Sequence, residues 1–490
     1  MTDSPTPITP WLTRRDFLAV SAAGLGALAF GRGCRAGQGP AARPNFLFVL
    51  TDDQRFDALG CAGNPIIRTP NVDRLAGEGI RFDRAFVTTP ICAASRASVL
   101  TGTYERTHSY TFTKPPLARA FTDISFPVRL RQAGYRMGFV GKFGVAVEKG
   151  VHAEMFDFTY FDGLPHVQTI DGVERHMTEV EGDEVIDFLR GVEPGRPFCL
   201  VWCPWAPHAD DGDPKQYFWP PAVDDLYRDV DIPVREMAAP EYYDAQPVFL
   251  KNTMSRTRWG WRFDTPQKYQ EMVKGYYRMI SGIDMVVGRI RDELARRGLD
   301  GNTVIIYTSD NGYFLGERGY ADKWLMYEPS IRVPLVVYDP RAPRGSRGLV
   351  KRDLVLNVDL GPTLMDLARV PIPSQAQGRS LRPLLGRGMQ AWRSEIFCEE
   401  LWDHPEIPRS ECVRTERWKY IQYPGHPEYV ELFDLAADPD EKRNLAGDPG
   451  HARVLAELRE RCSRTIRELL DDQAKIKDPE TQEFVPAKAA

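Results

Sequence analysis

Pro44-Asn45-Phe46-Leu47-Phe48-Val49-Leu50-Thr51-Asp52-Asp53 decides how this chain is read. The run from Pro44 to Thr51 is apolar almost throughout, as a strand buried on both faces is, and it delivers two carboxylates at its end. Three further runs do the same. Tyr135 to Val140 ends in Gly141-Lys142, Phe198 to Cys203 ends in Pro204-Trp205-Ala206-Pro207-His208, and Thr303 to Ser309 ends in Asp310-Asn311-Gly312. Asp-Asn-Gly by itself is ordinary turn chemistry. Four polar endings separated by helical patterns are better explained by the carboxyl edge of an open α/β sheet, where ligands bind. Thr69-Pro70 opens one helical pattern, with Thr69 as the expected cap and Val72, Leu75 and Ala76 on one face. Thr265-Pro266 opens a longer one, whose apolar residues Met272, Tyr276, Met279, Ile280, Ile283, Val287, Ile290 and Leu294 recur at three and four before Gly298. The expected fold is α/β, a mainly parallel central sheet sandwiched by helices.

Asp52, Asp53, Asp310 and Asn311 are oxygen ligands from two strand ends that can lie side by side. Converging carboxylates repel unless a cation neutralises them. Oxygen-only ligation favours Ca²⁺ over zinc, with Mg²⁺ the alternative where the cavity is small. A zinc site would want histidine ligands, and the eight histidines are His108, His152, His166, His176, His208, His404, His426 and His451. Asp162 and His166 form Asp-x-x-x-His, but Pro165 interrupts it and no apolar strand is expected before it. Cys199 and Cys203 fall along one strand, a poor chelate. Zinc is not expected.

Cys92-Ala93-Ala94-Ser95-Arg96-Ala97-Ser98-Val99-Leu100-Thr101-Gly102 places a thiol at the start of a short helix that Gly102 stops. A nucleophile there meets unpaired N–H groups and the positive end of the helix dipole, which suits an anionic substrate. Arg96 adds a planar fork of donors. A small buried cysteine in a helix start is the plainer alternative. The stretch resembles the type I sulfatase signature Cys-x-Pro-x-Arg, with Ala94 in the place of proline. The resemblance implies an alkaline-phosphatase-like fold and oxidation of Cys92 to formylglycine, whose hydrate attacks sulfur. It also implies one Ca²⁺ bound by Asp52, Asp53, Asp310, Asn311 and the modified Cys92. Gly316 to Leu335 resembles the family's stretch after Asp-Asn-Gly, so Lys323 is the expected contact to sulfate and the bridging oxygen. Lys142 matches the lysine of the family's Gly-Lys, and His208 its Pro-His histidine, the expected proton donor to the leaving oxygen. Cations and a proton donor are what a sulfate ester's growing charge requires. Two positions depart from the pattern. Gly144 stands where many members carry a histidine, one that the resemblance implies is also absent from the glucosamine-6-sulfatase and extracellular endosulfatase groups. Arg318 replaces the histidine of Glu-His-Gly and is either a substrate contact or a surface charge.

Before the first strand, Thr13-Arg14-Arg15-Asp16-Phe17-Leu18 and the small, apolar run Ala19 to Phe30 resemble a twin-arginine export signal. That run is too short for a membrane span in the mature chain. Residues 1–43 are therefore expected to be signal and linker, with a periplasmic or secreted product. Across 490 residues, 63 basic and 68 acidic side chains leave a net charge of −5 without a basic run, which argues against nucleic acid. The expected catalytic domain spans 44–388. A smaller α+β subdomain, 389–490, follows Gly386-Arg387-Gly388, with a strand at Arg414 to Tyr423, another near Glu431 to Leu435, and a closing helix over Ala452 to Leu470. Seven cysteines remain beyond the signal, and their pairing is left open. Between Pro204 and Thr265 lie Trp205, Tyr217, Trp219, Tyr227, Tyr242, Tyr243, Trp259 and Trp261, with little periodicity. Two uses stay open, stacking on sugar rings or pinning a long loop.

The expectation is an exported Ca²⁺-dependent sulfatase acting on a sulfated sugar or polysaccharide, matured by a formylglycine-generating enzyme. Arg96, Lys142 and Lys323 are expected to hold sulfate, with His208 as acid and Asp310 as proton acceptor. The alternatives are a phosphonate or phosphodiester hydrolase on the same scaffold, and a sulfated-glycan binder without turnover.

Overall fold

The strand Asn45–Thr51 lies inside an eight-stranded sheet. The order is Leu349–Lys351, Ile80–Phe82, Leu335–Tyr338, Thr303–Ser309, Asn45–Thr51, Phe198–Cys203, Arg136–Gly141, Phe158–Phe161. A computed structural model describes residues 43–112, 115–388 and 391–476. The expected export signal lies outside these residues except for Arg43, and the expected boundary after Gly388 adjoins residues 389–390, which also lie outside them. The described chain from Pro44 onward packs as one unit.

All four strands with polar endings are consecutive in the sheet and mutually parallel. The registers Thr51↔Ser309 and Gly141↔Cys203 bring their carboxyl ends level. Antiparallel pairing enters only through Leu335–Tyr338. The strands read as continuous apolar runs because both faces are covered: Phe46, Phe48 and Leu50 pack into one core, and Leu47 and Val49 into the other. The second core is closed by the helix Pro266–Arg296, whose apolar positions follow the expected three-and-four spacing. Thr265 caps it, its hydroxyl accepting from Lys268 N at 3.2 Å.

The helix Pro70–Glu78 departs from expectation at its start. Thr69 makes no cap; its hydroxyl accepts from Gly60 N at 2.9 Å. Asp284, from the long helix, takes the free N–H groups instead, accepting from Asn71 N at 3.2 Å and Val72 N at 2.8 Å. A strand also precedes Asp162, contrary to expectation: Phe158–Phe161 joins the sheet edge. Its half-exposed, alternating positions hide the signal that a buried run shows.

The C-terminal part is a four-stranded antiparallel sheet, Glu395–Glu400, Ser410–Thr415, Trp418–Gln422 and Val430–Asp434, backed by the helix Ala452–Lys475. The single strand expected over Arg414 to Tyr423 is a hairpin. Thr415 Oγ1 accepts from Trp418 N at 2.8 Å and turns the chain at Glu416-Arg417. Among the described residues no helix is long and apolar enough to cross a membrane.

Candidate active site

Cys92 begins the helix Cys92–Thr101, which ends at Gly102 with φ 71°. Cys92 is 4% exposed. It lines a cavity of about 580 Å³ together with Lys142, His208 and Lys323. Three remote sequence candidates thus meet the thiol at one wall. Burial pushes the Cys92 thiol above its ordinary pKa, while Lys142 and Lys323 pull it down.

The carboxylates lie behind that wall. The Lys142 ammonium pairs with Asp52, and the Lys323 ammonium with Asp53. Asp53 N donates to Asp310 Oδ1 at 3.2 Å, and Asn311 Nδ2 donates to Asp53 Oδ1 at 2.7 Å. Arg96 Nε donates to Asp310 Oδ2 at 2.7 Å, and its Nη1 to the Lys142 carbonyl at 2.5 Å. Only Arg96 Nη2 is left without a hydrogen-bond partner, 3.7 Å from Asp52 Oδ2. Arg96 therefore ties the Cys92 helix to two strand ends.

Electrostatics divide the acids. Burial pushes Asp52 up, but Lys142, His208 and Arg96 hold it well below the usual carboxylate range. Asp53 is pushed up to about 6 by burial, with Lys323 opposing and Asp52 adding repulsion. Asp310 is pushed up to about 7 by burial and by Asp52, against Arg96. Two buried oxygens among these groups, Asp52 Oδ1 and Asn311 Oδ1, have no partner. Unpaired oxygens beside carboxylates that resist ionisation fit a hard divalent cation. Atoms of Asp52, Asp53 and His208 can also be grouped within 4.8 Å of one another.

His208 Nδ1 donates to the Ala209 carbonyl at 2.5 Å, which fixes the neutral ring with its lone pair on Nε2. Nε2 stands 3.7 Å from Asp53 Oδ2. Burial, then Lys323, lower its pKa to about 3. His166 supports the segment from below, its Nε2 donating to the His208 carbonyl at 2.8 Å.

Backbone strain concentrates here. Asp53, Asp322 and Trp324 adopt φ of 68°, 72° and 78°. For residues with a Cβ this conformation costs about 1–2 kcal/mol each, and two of the three flank Lys323. Arg258 and Arg262 hold Asp322 in place. Gly141 follows from close approach: a Cβ there would lie 2.3 Å from the Cys203 carbonyl oxygen.

Six aromatic side chains also line the wall, Phe112, Phe143, Phe161, Trp205, Trp324 and Trp402, beside the polar His152, Asp162 and Arg258. Of the eight aromatics noted between Pro204 and Thr265, only Trp205 lines the cavity, its ring 4.3 Å from Lys142 Nζ. Tyr217, Trp219 and Tyr227 pack around the long helix instead. The aromatic segment is thus mainly a pinned loop, though it also supplies Arg258 to the wall. Trp402 comes from the C-terminal sheet, in the loop between Glu395–Glu400 and Ser410–Thr415. Ile407 of that loop packs with Ile91, Ala94 and Trp324 over the start of the Cys92 helix. Arg318 is not a surface charge, and it does not line the cavity that holds Cys92. It is 5% exposed, donates to the Glu441 carbonyl and stacks 4.2 Å from the Tyr327 ring centroid.

The family model for sulfatases matches residues 44–370, and that for the C-terminal part of N-sulphoglucosamine sulphohydrolase matches residues 316–468. The N-acetylglucosamine-6-O-sulfatase of Bacteroides thetaiotaomicron is 29% identical over 510 residues, covering 90% of this chain and 89% of the relative. The N-acetylglucosamine-6-sulfatase of Homo sapiens is 29% identical over 484 residues, covering 82% and 81%. A protein solved in complex with its substrate D-glucosamine-2-N,6-O-disulfate superposes with a TM-score of 0.74 at 27% identity, covering 90% of this chain and all of that one.

Proposed function

The chain belongs to the sulfatase family, and from that premise we propose that it removes sulfate from a sulfated sugar, a 6-O-sulfated glucosamine unit being the first candidate. The observation that carries the reading is Cys92 at a helix start, lining one cavity with Lys142, Lys323 and His208. Relatives named for glucosamine 6-sulfate esters support the sugar.

Cys92 is the position that would carry formylglycine, whose hydrate would supply a hydroxyl nucleophile toward sulfur. Lys142 and Lys323 bind the sulfate oxygens and offset the charge that grows on them. The helix start adds backbone N–H groups on the same side. His208 is neutral before substrate arrives; the anionic sulfate and Asp53 favour its protonated ring, which gives the Nε2 proton to the leaving alcohol oxygen. Asp310, held by Arg96, accepts the proton of the attacking hydroxyl. Arg96 positions Asp310 and the Lys142 backbone. Asp52, Asp53, Asp310 and Asn311 would hold one Ca²⁺, which supplies positive charge beside the nucleophile. Export through the segment around Arg14-Arg15 belongs to the same reading.

The test is a mass spectrum of the tryptic peptide spanning Cys92, after co-expression with a formylglycine-generating enzyme, with turnover of an aryl sulfate and an aryl phosphate diester. Conversion at Cys92 with preferred sulfate cleavage is expected. Faster phosphodiester cleavage would identify the hydrolase alternative, and an unmodified thiol the glycan binder.

A further inference from the structure

Trp402 is a wall of two cavities. One is the cavity that contains Cys92; the other, about 540 Å³, is lined by the loop residues Trp402 to Arg409. Both volumes fall in the range that small ligands occupy. The second is lined by Phe249, Asn252, His404, Arg409 and His426 among others. Nothing in the proposed hydrolysis uses it.

Its chemistry is that of a sugar site. The Phe249 and His426 rings stack at 3.8 Å and 11°, a flat surface at the cavity wall. The His404 ring lies 4.6 Å from Trp402. Asn252, Arg409 and Asp403 provide neutral and charged donors and acceptors, with Arg409 Nη2 3.2 Å from Asp403 Oδ1, so the charge is balanced. Flat rings beside mixed hydrogen-bonding groups suit a hydroxyl-rich ring. Trp402 provides an independent sign of a ligand. Its Nε1 is buried and has no partner, although a buried indole N–H usually finds one.

The wall is built before any ligand arrives. Ile407 is buried against Ile91, Ala94 and Trp324. Met254 N donates to the Glu406 carbonyl at 2.9 Å, and Trp402 N to Glu400 Oε1 at 3.0 Å. A fixed partition shared by both cavities places two ligand parts at a set separation. We propose that the second cavity is the subsite for the sugar unit glycosidically linked to the sulfated one, so that the enzyme acts on oligosaccharide chains, with Trp402 contacting both units.

The inference rests on the sulfated-sugar reading, and the experiment separates the two. The matured enzyme is assayed on N-acetylglucosamine 6-sulfate and on a 6-O-sulfated heparan sulfate tetrasaccharide, as wild type, Asn252→Ala and Arg409→Ala, with thermal melts to confirm folding. Wild type should show a kcat/KM at least about tenfold higher on the tetrasaccharide. Each variant should lower the tetrasaccharide-to-monosaccharide ratio about fivefold, the loss of one hydrogen bond. Equal kcat/KM on both substrates, or an unchanged ratio in both variants, overturns the subsite while leaving the sulfatase reading intact. Absence of turnover on every sulfated sugar overturns that reading and the subsite with it.

Discussion

Arg96 Nε donates to Asp310 Oδ2 at 2.7 Å, joining the helix that begins with Cys92 to the end of the strand Thr303–Ser309. The same guanidinium reaches the Lys142 carbonyl. One side chain therefore spaces Cys92, a carboxylate and Lys142. Arg96→Lys keeps the charge and loses the fork. Its kcat on an aryl sulfate should fall by about a hundredfold. Comparison of kcat with KM checks this, since the lost positioning should appear mainly in kcat.

Removing a ligand charge tests the cation site. Asp52→Asn and Asp310→Asn each delete a carboxylate from a small oxygen set. Each purified variant should carry less Ca²⁺ by elemental analysis than wild type, and turnover should be lost. Wild type should lose activity in a chelator and regain it with Ca²⁺. Zinc in the purified protein, or full activity in chelator, would contradict the assignment.

Position 144 gives a prediction opposite to the one that the family pattern suggests. Gly144 has φ 71°, and a Cβ there would lie 2.8 Å from Arg96 Cδ. A side chain would be strained and would push Arg96 away from Asp310. Gly144→His and Gly144→Ala should therefore both lower kcat by a similar factor, about tenfold or more. Steady-state assay of the two together separates the steric effect from any benefit of the imidazole; a gain for histidine alone would show that the loop yields.

Stability should depend on a lysine far from the chemistry. Lys419 is 0% exposed in the strand Trp418–Gln422, with Nζ 2.9 Å from Glu328 Oε1 and 2.6 Å from Glu441 Oε1. Lys419→Met strands two buried acids, and unfolding free energy should fall by about 3–5 kcal/mol, measured by denaturant titration. Burial pushes Glu328 up, but Lys419 and Arg414 outweigh it and hold its pKa below the ordinary 4.5. A carboxylate depressed in the folded state stabilises above its ordinary pKa, and that stability is lost as pH falls through the folded value. Wild type should thus lose stability below about pH 4.5, and the variant should lose less over that range.

The centre of the sheet was legible because its strands are covered on both faces. Phe46 to Leu50 and Val304 to Tyr307 leave no doubt about a buried strand, and their polar ends fall side by side in register. Phe158–Phe161, half exposed at the edge, leaves no such trace. Asp284 as the cap of a distant helix, and Thr69 diverted to Gly60, depend on tertiary contacts that no local pattern encodes. Cys92, Lys142, His208 and Lys323 were legible through motif and strand ending together. Trp402 was not, because it sits in an aperiodic loop of a different sheet and owes its place to Ile407 packing against Ala94. The aromatic richness of residues 204–265 left sugar stacking and loop pinning both open; Tyr217, Trp219, Tyr227 and Trp259 join the core, while Trp205 lines the cavity.

The loop packed on the start of the Cys92 helix also sets an order of events during synthesis. Trp402 and Ile407 leave the ribosome long after Cys92, and at roughly 5–20 residues per second the interval is on the order of tens of seconds. Until Ile407 reaches Ile91 and Ala94, the start of that helix lacks one of its covering walls. An enzyme that must grip an extended stretch around Cys92 has this window, and the arrival of the C-terminal sheet closes it. A chain cut before Glu395 would keep the window open, since Ile407 would never reach Ile91 and Ala94.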